Sequence, residues 1–173
     1  TITFNITFDQ DMNSSIQPTV KFKLAPMVID DGDPEYSDTG WTLSSGEGYG
    51  NDIQYIAAGT GLNNATWTPS IPVSGNYKVY VSWTTHPNRA TNANYTIFYN
   101  GGSYNFVVNQ ENYANNTTGG SAGEWSDWYY AGTFNFAAGT SGKVVLNDNA
   151  NEYVIADAVK FESTKENVVT GNW

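Results

Sequence analysis

Hydrophobic and polar residues alternate along much of the chain with a repeat of two. Between residues 77 and 83, apolar side chains occupy every second position, so they fall on one face of an extended segment. Similar runs occur at 1–8, 133–136 and 143–146, and a mostly apolar run occupies 153–161. No segment shows the 3.6-residue period of an amphipathic helix. The pattern predicts an all-β protein in which residues 153–161 form one long final strand.

Turns rich in glycine and asparagine separate these runs. Residues 95–99 and 104–108 flank the sequence Asn-Gly-Gly-Ser at 100–103, which predicts a β-hairpin because glycine readily adopts the positive φ of tight turns. Short strands at even spacing with such turns are typical of a β-sandwich or jelly roll. The polar stretches 30–35 and 112–123 are predicted to be loops.

Length and composition fit one substantial domain outside the cell. The chain has 173 residues and no cysteine, so neither disulfides nor thiolate metal sites hold it together. Only 14% of residues are charged, and amides and hydroxyls take their place. The chain starts directly in a predicted strand and shows no signal peptide, so we interpret it as a mature protein or an excised piece.

The charge balance argues against two classes of partner. Seven Lys and Arg residues against 17 Asp and Glu residues give a formal net charge of −10, which repels phosphate backbones and anionic lipid surfaces. No run of about 18 apolar residues is present to insert into a membrane. We therefore expect neither nucleic acid binding nor membrane insertion.

A series of motifs occurs in order through the middle of the chain. They are Val-Ile-Asp-Asp-Gly-Asp-Pro-Glu-Tyr-Ser at 28–37, Tyr-Ile-Ala-Ala-Gly-Thr-Gly at 55–61, Ala-Thr-Trp-Thr-Pro at 65–69, Gly-Asn-Tyr-Lys-Val-Tyr at 75–80, Pro-Asn-Arg-Ala-Thr-Asn-Ala at 87–93, Gly-Thr-Phe-Asn-Phe at 132–136 and Tyr-Val-Ile-Ala-Asp-Ala-Val-Lys-Phe at 153–161. With them, residues 27–162 resemble the golvesin-like domain, also described as a xanthan-lyase-type carbohydrate-binding-like domain. The resemblance implies a jelly-roll-like antiparallel β-sandwich attached to secreted enzymes and surface proteins. The chain departs from that pattern at 112–127, where its loop is longer.

The two ends of the chain resemble a different module. Residues 3–13 and 18–22 are similar to parts of bacterial Ig-like repeats, and residues 167–173 are similar to a later strand of such a repeat. We therefore expect residues 1–26 to be a fragment of an Ig-like host and residues 163–173 to be its return strand, with the golvesin-like domain inserted between them. Insertion requires the two ends to lie close together. In the alternative, both ends are extra strands of one sandwich.

Catalytic chemistry has little support in the sequence. His86 is the one histidine and precedes Pro87 in a predicted turn, where a hydrogen-bonding role is commoner than general-base catalysis. The chain lacks a nucleophile elbow, an HExxH motif and a phosphate-binding loop. Pairs of carboxylates are expected by chance in so acidic a chain. We interpret the protein as non-catalytic.

Arg89 is the one arginine, and two roles are open to it. Its guanidinium is suited to holding the carboxylate of an acidic polysaccharide. The structural alternative is an ion pair with Asp157, the single acid within the apolar run 153–161, which requires a counter-charge or a metal. The second role is favoured, so we predict a buried Arg89–Asp157 ion pair.

Two loops are rich in oxygen ligands. If the domain holds a cofactor, calcium is the one they favour, because it binds six to eight oxygen atoms at short range. The candidate ligands are Asp30, Asp31 and Asp33, with Glu35 and Asp38 nearby, and a second such loop spans 148–152. The first loop lacks EF-hand spacing, and acidic turns without metal are also common.

The aromatic residues divide into two groups. Trp67 and Trp83 share alternation phase with apolar neighbours and are predicted to lie in the core. Flat rings beside polar loops suit the apolar faces of sugars, while amides and acids bind the hydroxyls. Four such rings are the candidate carbohydrate-binding residues: Trp41, Tyr49, Tyr113 and Trp125. Trp128 matches a core-like tryptophan of the resembled family and is expected to be packed.

Several sequons fit the N-glycosylation pattern Asn-X-Ser/Thr. Their asparagines are Asn5, Asn13, Asn64, Asn94, Asn115 and Asn116.

Three functions are compatible with these observations. The favoured one is a non-catalytic extracellular or cell-surface module that binds a polysaccharide or glycan, or that mediates adhesion. In the second, the protein is a subunit of a filament or surface layer, and residues 1–8 pair with a neighbouring copy. In the third, it is the accessory domain of a secreted polysaccharide-degrading enzyme.

Overall fold

The structure is a computed structural model that describes residues 19–114 and 123–170. Within these ranges the backbone forms β-strands and one turn of 3-10 helix at Tyr49–Asn51, and no helix is long and apolar enough to cross a membrane. The strands are β1 (Thr19–Lys23), β2 (Met27–Ile29), β3 (Tyr36–Asp38), β4 (Thr42–Ser45), β5 (Asp52–Ile56), β6 (Asn64–Trp67), β7 (Gly75–Val81), β8 (Thr84–Thr85), β9 (Ala93–Tyr99), β10 (Gly102–Val108), β11 (Glu124–Trp125), β12 (Tyr129–Phe136), β13 (Lys143–Asn147), β14 (Val154–Ala156), β15 (Val159–Ser163) and β16 (Glu166–Thr170).

Two antiparallel sheets form a sandwich. One sheet has five strands in the order β10-β9-β13-β6-β3, and the other has four in the order β12-β7-β15-β2. Two smaller sheets, β14-β5-β4 and β11-β8, extend the structure. The all-β, antiparallel sandwich predicted from the sequence is therefore confirmed.

The core follows from the alternation of the strands. In β7, Tyr77, Val79 and Val81 are buried while the residues between them are not, as expected for a strand with one face on the core. Trp67 and Trp83 are each 1% exposed, which confirms that they belong to the core. Burial of each such apolar ring stabilises the fold by about 2–3 kcal/mol.

The hairpin of β9 and β10 is tighter than predicted. Gly102 already pairs with Tyr99, so the turn consists of Asn100 and Gly101 alone. Gly101 has φ +104°, a conformation that glycine adopts without steric strain. β10 therefore begins at Gly102, before the predicted segment 104–108, and includes the second glycine of the Asn-Gly-Gly-Ser sequence.

The predicted single strand over 153–161 is wrong, because the chain changes sheets within it. β14 pairs with β5 in one sheet, and β15 pairs with β2 and β7 in another. Asp157 and Ala158 form the junction between them. All six residues from 154 to 159 are buried, so their apolar run reflects packing on every side and hides the break.

The chain enters and leaves the sandwich through one pair of strands. β1 pairs antiparallel with β16 from Thr19↔Thr170 to Lys23↔Glu166, and the pair belongs to neither main sheet. This arrangement has the geometry that an inserted domain requires. The Ig-like character of the ends remains a prediction. Residues 1–18 and 171–173, including the strand proposed to pair between copies, lie outside the described residues.

Candidate functional site

A groove opens beside the small sheet β14-β5-β4. It has a volume of about 300 Å³. Its lining residues are Ser44, Glu47, Tyr55, Asn88, Arg89 and Tyr153. Two of them come from strands β4 and β5, and the others come from the loops that follow β4, β8 and β13. The groove therefore combines a rigid sheet with loop residues of several types.

The charged part of the groove is an ion pair between Arg89 and Glu47. The Nη2 atom of Arg89 lies 3.7 Å from Oε2 of Glu47, and the side chains are 12% and 20% exposed. Arg89 also donates from Nη1 to Oδ1 of Asn88 at 3.2 Å, while its Nε is buried without a hydrogen-bond partner. Burial lowers the pKa of the guanidinium, and Glu47 partly opposes that shift.

The predicted Arg89–Asp157 ion pair is wrong. Arg89 ends a turn in which its backbone N–H donates to the carbonyl oxygen of His86. Its guanidinium contacts Glu47 and not Asp157 at the β14–β15 junction. Asp157 is fully buried, and its carboxylate accepts hydrogen bonds from Ser82 Oγ and Tyr49 N, both at 2.9 Å.

The aromatic part of the groove is formed by two tyrosines. Tyr55 and Tyr153 meet edge to face with ring centroids 6.0 Å apart. Tyr153 is 41% exposed, so its ring is accessible to a ligand. A second cleft of about 330 Å³ continues past Tyr153 and Asn88 to Glu152. Exposed rings next to hydrogen-bonding groups are the elements of a sugar-binding surface.

An aromatic trio of Tyr49, Trp125 and Trp128 adjoins the groove through the segment Glu47-Gly48-Tyr49. The three ring centroids lie 5.6 to 6.0 Å from one another. The Nζ atom of Lys160 lies 4.3 Å from the ring centroid of Trp128 and forms a cation–π contact with it. The structure therefore brings together two of the four predicted sugar-binding rings, Tyr49 and Trp125, which are far apart in the sequence.

The remaining aromatic residues singled out from the sequence differ in their exposure. Trp41 is only 9% exposed and packs with the core, so it cannot serve as a sugar platform. The backbone N–H of Trp41 donates a hydrogen bond to Oδ1 of Asp38 at 3.2 Å. Trp128 is packed, as expected, but its partners are the rings of the aromatic trio and its side chain is partly exposed. Tyr113 is partly exposed, and its role in binding remains a prediction.

A carboxylate cluster lies beneath the segment that carries Tyr49. Carboxylate oxygens of Asp30, Asp31 and Asp157 all lie within 4.8 Å of one another. Asp33, the third ligand predicted from the sequence, is not in this cluster, because its Oδ2 accepts a hydrogen bond from the N–H of Asp30 at 2.8 Å. Two members of the cluster, Asp30 and Asp31, are thus predicted from the sequence as metal ligands, whereas Asp157 is predicted to pair with Arg89.

Negative charges crowd this cluster. Burial and the neighbouring carboxylates, Asp30 foremost, raise the pKa of Asp31 to about 8. Burial likewise raises the pKa of Asp157 to about 8, although its hydrogen bonds from Ser82 and Tyr49 favour the charged form. All seven Lys and Arg residues lie in the described part of the chain, and none forms an ion pair with these groups.

The second acidic loop, 148–152, satisfies its oxygens without an ion. Asp148 is 3% exposed and accepts hydrogen bonds from Gly61 N at 2.6 Å and from Asn63 Nδ2 at 2.7 Å. Asn151 forms hydrogen bonds with Thr91 and Asn92. This carboxylate therefore anchors the loop after β5, and the sequence alone does not distinguish such an anchor from a metal ligand.

Two sequon asparagines are described. Asn64 and Asn94 lie in β6 and β9, on either side of β13, and both are partly exposed. Asn5, Asn13, Asn115 and Asn116 lie outside the described residues. Glycosylation of any of them remains a prediction.

Comparison with known proteins now places the chain in a family. Residues 27–163 match the model of the Golvesin C-terminal domain. The chain belongs to this family. A xanthan lyase from Bacillus sp. (strain GL1) is 32% identical over 148 residues, which are 80% of this chain and 15% of that protein.

Solved structures agree with the family assignment. The golvesin domain superposes on a Paenibacillus xanthan lyase with a TM-score of 0.70 and 34% identity, covering 81% of this chain and 13% of that one. It also superposes on a CBM35 module from Cellvibrio japonicus with a TM-score of 0.55 and 15% identity, covering 86% and 99% of the two chains. The second likeness concerns the fold alone. The chain spans about 15% of the length of the xanthan lyase that it matches.

Several groove residues escaped the sequence analysis. Tyr153 stands in the run 153–161 that predicts a strand, and Tyr55 stands in the motif 55–61 that carries the family resemblance. Neither pattern indicates a binding residue. Glu47 lies in Ser-Gly-Glu-Gly-Tyr-Gly at 45–50, and an acid flanked by glycines was the available signal for a shaped functional loop.

Proposed function

We propose that this golvesin domain is a non-catalytic carbohydrate-binding module that works outside the cell as an accessory part of a longer polysaccharide-processing protein. The observation that carries the proposal is the groove, in which the exposed ring of Tyr153 lies beside the Arg89–Glu47 ion pair. The proposal is supported by the sandwich fold, shared with CBM35, and by the short span of the chain within a xanthan lyase.

The groove matches the two kinds of surface that a sugar ring presents. The Tyr153 ring offers a flat apolar face for the C–H-rich side of a pyranose. Arg89 and Asn88 supply N–H donors, and Glu47 supplies acceptors, so sugar hydroxyls find both kinds of partner. Because Arg89 and Glu47 neutralise each other, the groove requires no charge on the ligand.

The same residues argue against glycoside hydrolysis. Hydrolases of this type commonly use two carboxyl groups on opposite sides of the scissile bond. Among the described residues that line the groove, Glu47 is the one carboxylate, and it forms an ion pair with Arg89. A second carboxyl group on the opposite side of a bound sugar is therefore not present among these lining residues. The groove is therefore suited to binding.

The proposal is tested by affinity electrophoresis through gels that contain a polysaccharide, followed by titration calorimetry with the positive ligand. The panel includes xanthan, because two relatives are xanthan lyases, together with neutral β-glucans, mannans and galactans. We expect Tyr153→Ala to weaken binding by about tenfold, since loss of one stacking ring removes about 1.4 kcal/mol.

The matched control is Tyr104→Ala. Tyr104 is a 44% exposed tyrosine on β10, in the five-stranded sheet and outside the groove, so its loss should leave the affinity unchanged. Equal weakening by both variants would remove the groove from the proposal. Failure of the unmodified chain to bind any polysaccharide of the panel would overturn the function itself.

A further inference from the structure

The carboxylate cluster joins two parts of the chain that are distant in sequence. Asp30 and Asp31 follow β2 at the edge of the four-stranded sheet, and Asp157 occupies the junction between β14 and β15. Their oxygens converge within 4.8 Å. Like charges this close repel strongly when they are buried. A fold that holds them together therefore requires a compensating positive charge or bound protons.

Asp31 is the member that points to a ligand. It is 5% exposed, and both of its carboxylate oxygens are buried without any hydrogen-bond partner. Burying a charged or polar group without a partner costs several kcal/mol. Asp148 shows the contrast, since its equally buried carboxylate is surrounded by N–H donors. Asp31 thus presents two oxygens into the cluster, and no group of the described residues donates a hydrogen bond to them.

The surroundings add negative charge and oxygen ligands. Asp52, the first residue of β5, acts electrostatically on all three members and raises their pKa values further. Asp157 accepts one hydrogen bond on each oxygen, which leaves further lone pairs on both. Asp30 accepts from the N–H of Asp31 at 3.1 Å.

We propose that Asp30, Asp31 and Asp157 bind a calcium ion. A hard cation with an oxygen-only preference fits a set of carboxylates, and calcium tolerates the irregular geometry of ligands drawn from separate segments. Asp52 and water would complete the six to eight positions that calcium takes. Zinc fits poorly, because the chain has no cysteine and its one histidine, His86, is outside the cluster.

The ion would also fix the loop that borders the groove. Tyr49 N donates to Oδ1 of Asp157 at 2.9 Å, and a Cβ added to Gly50 would overlap Oδ2 of Asp30. The segment 47–52, which carries Glu47 and Tyr49, therefore rests directly on the carboxylates. This site does not depend on the proposed function, since ion binding is measured without any glycan.

The test uses the full chain, stripped with EDTA and dialysed into metal-free buffer. Thermal unfolding is followed in buffer, in calcium and in magnesium, and terbium serves as a luminescent stand-in excited through tryptophan. Trp67 is a suitable antenna, because its Nε1 donates to the carbonyl oxygen of Asp157 at 3.0 Å. We expect saturating calcium to raise Tm by about 5 °C or more, and one terbium ion per chain to be displaced by calcium.

Asp31→Asn is the decisive variant. It should weaken calcium and terbium binding by more than about tenfold and abolish the calcium-dependent rise in Tm. Without calcium its Tm should stay close to that of the unmodified chain, because the neutral amide replaces a carboxyl whose surroundings already favour its uncharged form. The control Glu35→Gln removes an exposed acid from the same loop and should keep the full calcium response.

Two results would overturn the site. One is an unmodified chain whose Tm and terbium emission do not respond to calcium, which would mean that Asp30 and Asp31 share a proton instead. The other is a terbium signal that persists unchanged in Asp31→Asn. Should that variant fail to fold, Asp157→Asn and direct calcium calorimetry on the unmodified chain decide the question by the same criteria.

Discussion

Gln110 shows how one buried side chain takes the place of a missing strand. It is completely buried, its Nε2 donates to the carbonyl oxygen of Ile155 at 2.8 Å, and its Oε1 accepts from Ile155 N at 2.9 Å. β14 pairs with β5 on its other side, so the glutamine amide satisfies the backbone groups on the open side. Buried backbone groups require such partners.

Replacement of this amide should therefore be costly. We expect Gln110→Ala to lower the free energy of unfolding by about 2–4 kcal/mol, because it leaves a buried N–H, a buried C=O and a cavity. Gln54→Ala, at a partly exposed position on β5, should change it by less than about 1 kcal/mol. Urea denaturation of the three chains measures both values, and equal values for the two variants would contradict the assignment.

Arg89 illustrates what the sequence could and could not provide at the residue scale. The apolar sequence around Asp157 predicts that its carboxylate has a polar partner. The structure supplies hydrogen bonds from Ser82 and Tyr49 and places the carboxylates of Asp30 and Asp31 nearby. The identity of the partner depended on loop conformation. Glu47 reaches Arg89 from a glycine-rich loop, and no periodicity of the sequence specifies where such a loop points.

At the scale of elements, the loop between β4 and β5 is shaped by its backbone. Gly46, Gly48, Gly50 and Asn51 all have positive φ, which is uncommon in so short a segment. Gly48 has φ +84° and ψ −175°, a region almost exclusive to glycine. This conformation places Glu47 in the groove and Tyr49 in the aromatic trio.

Substitutions at two glycines of this loop distinguish the cost of backbone strain from the cost of steric overlap. A Cβ on Gly48 would overlap Asp52 O and lie 2.6 Å from Ile53 Cγ2, while one on Gly46 would meet nothing within 4 Å. We expect Gly48→Ala to destabilise the fold by about 3 kcal/mol and Gly46→Ala by about 1 kcal/mol. Thermal unfolding of both variants in one buffer tests the difference, which would vanish if the loop could move away.

Elements with one solvated face were predictable, and buried junctions were not. β7 and β9 alternate between buried and less buried positions, so their period of two appears directly in the sequence. The segment 154–159 is buried on every side, and its period is therefore lost although it contains the change of sheet. The same reasoning explains why the sequence places Tyr153 in one long strand with residues 154–161.

At the scale of the whole molecule, we expect the sandwich to depend little on the β1–β16 pair. The pair forms its own sheet, and its side-chain contacts include exposed ion pairs of Lys21 with Glu166 and of Lys23 with Glu162. Exposed ion pairs contribute about 0–1 kcal/mol. Among the residues whose burial the structure describes, those of the core lie between positions 29 and 161.

A chain trimmed to residues 27–163 should therefore fold by itself. We expect its Tm to stay within about 5 °C of that of the longer chain, with the same polysaccharide affinity, because the core and the groove are unchanged. Circular dichroism and the gel assay compare the two proteins. A trimmed chain that is unfolded, or that loses affinity, would show that the ends are strands of the same cooperative unit and would contradict the insertion model.

The pairing of β1 with β16 also determines how the molecule responds to a pulling force. Thr19 and Thr170 stand opposite each other at the outer end of the pair, so a force that separates them loads the inter-strand hydrogen bonds one after another, like a zipper. Bonds loaded in sequence open at lower force than bonds sheared together. Tension between those two residues would thus peel the pair apart before any load reached the sandwich, and the groove would keep its shape while the connection lengthened.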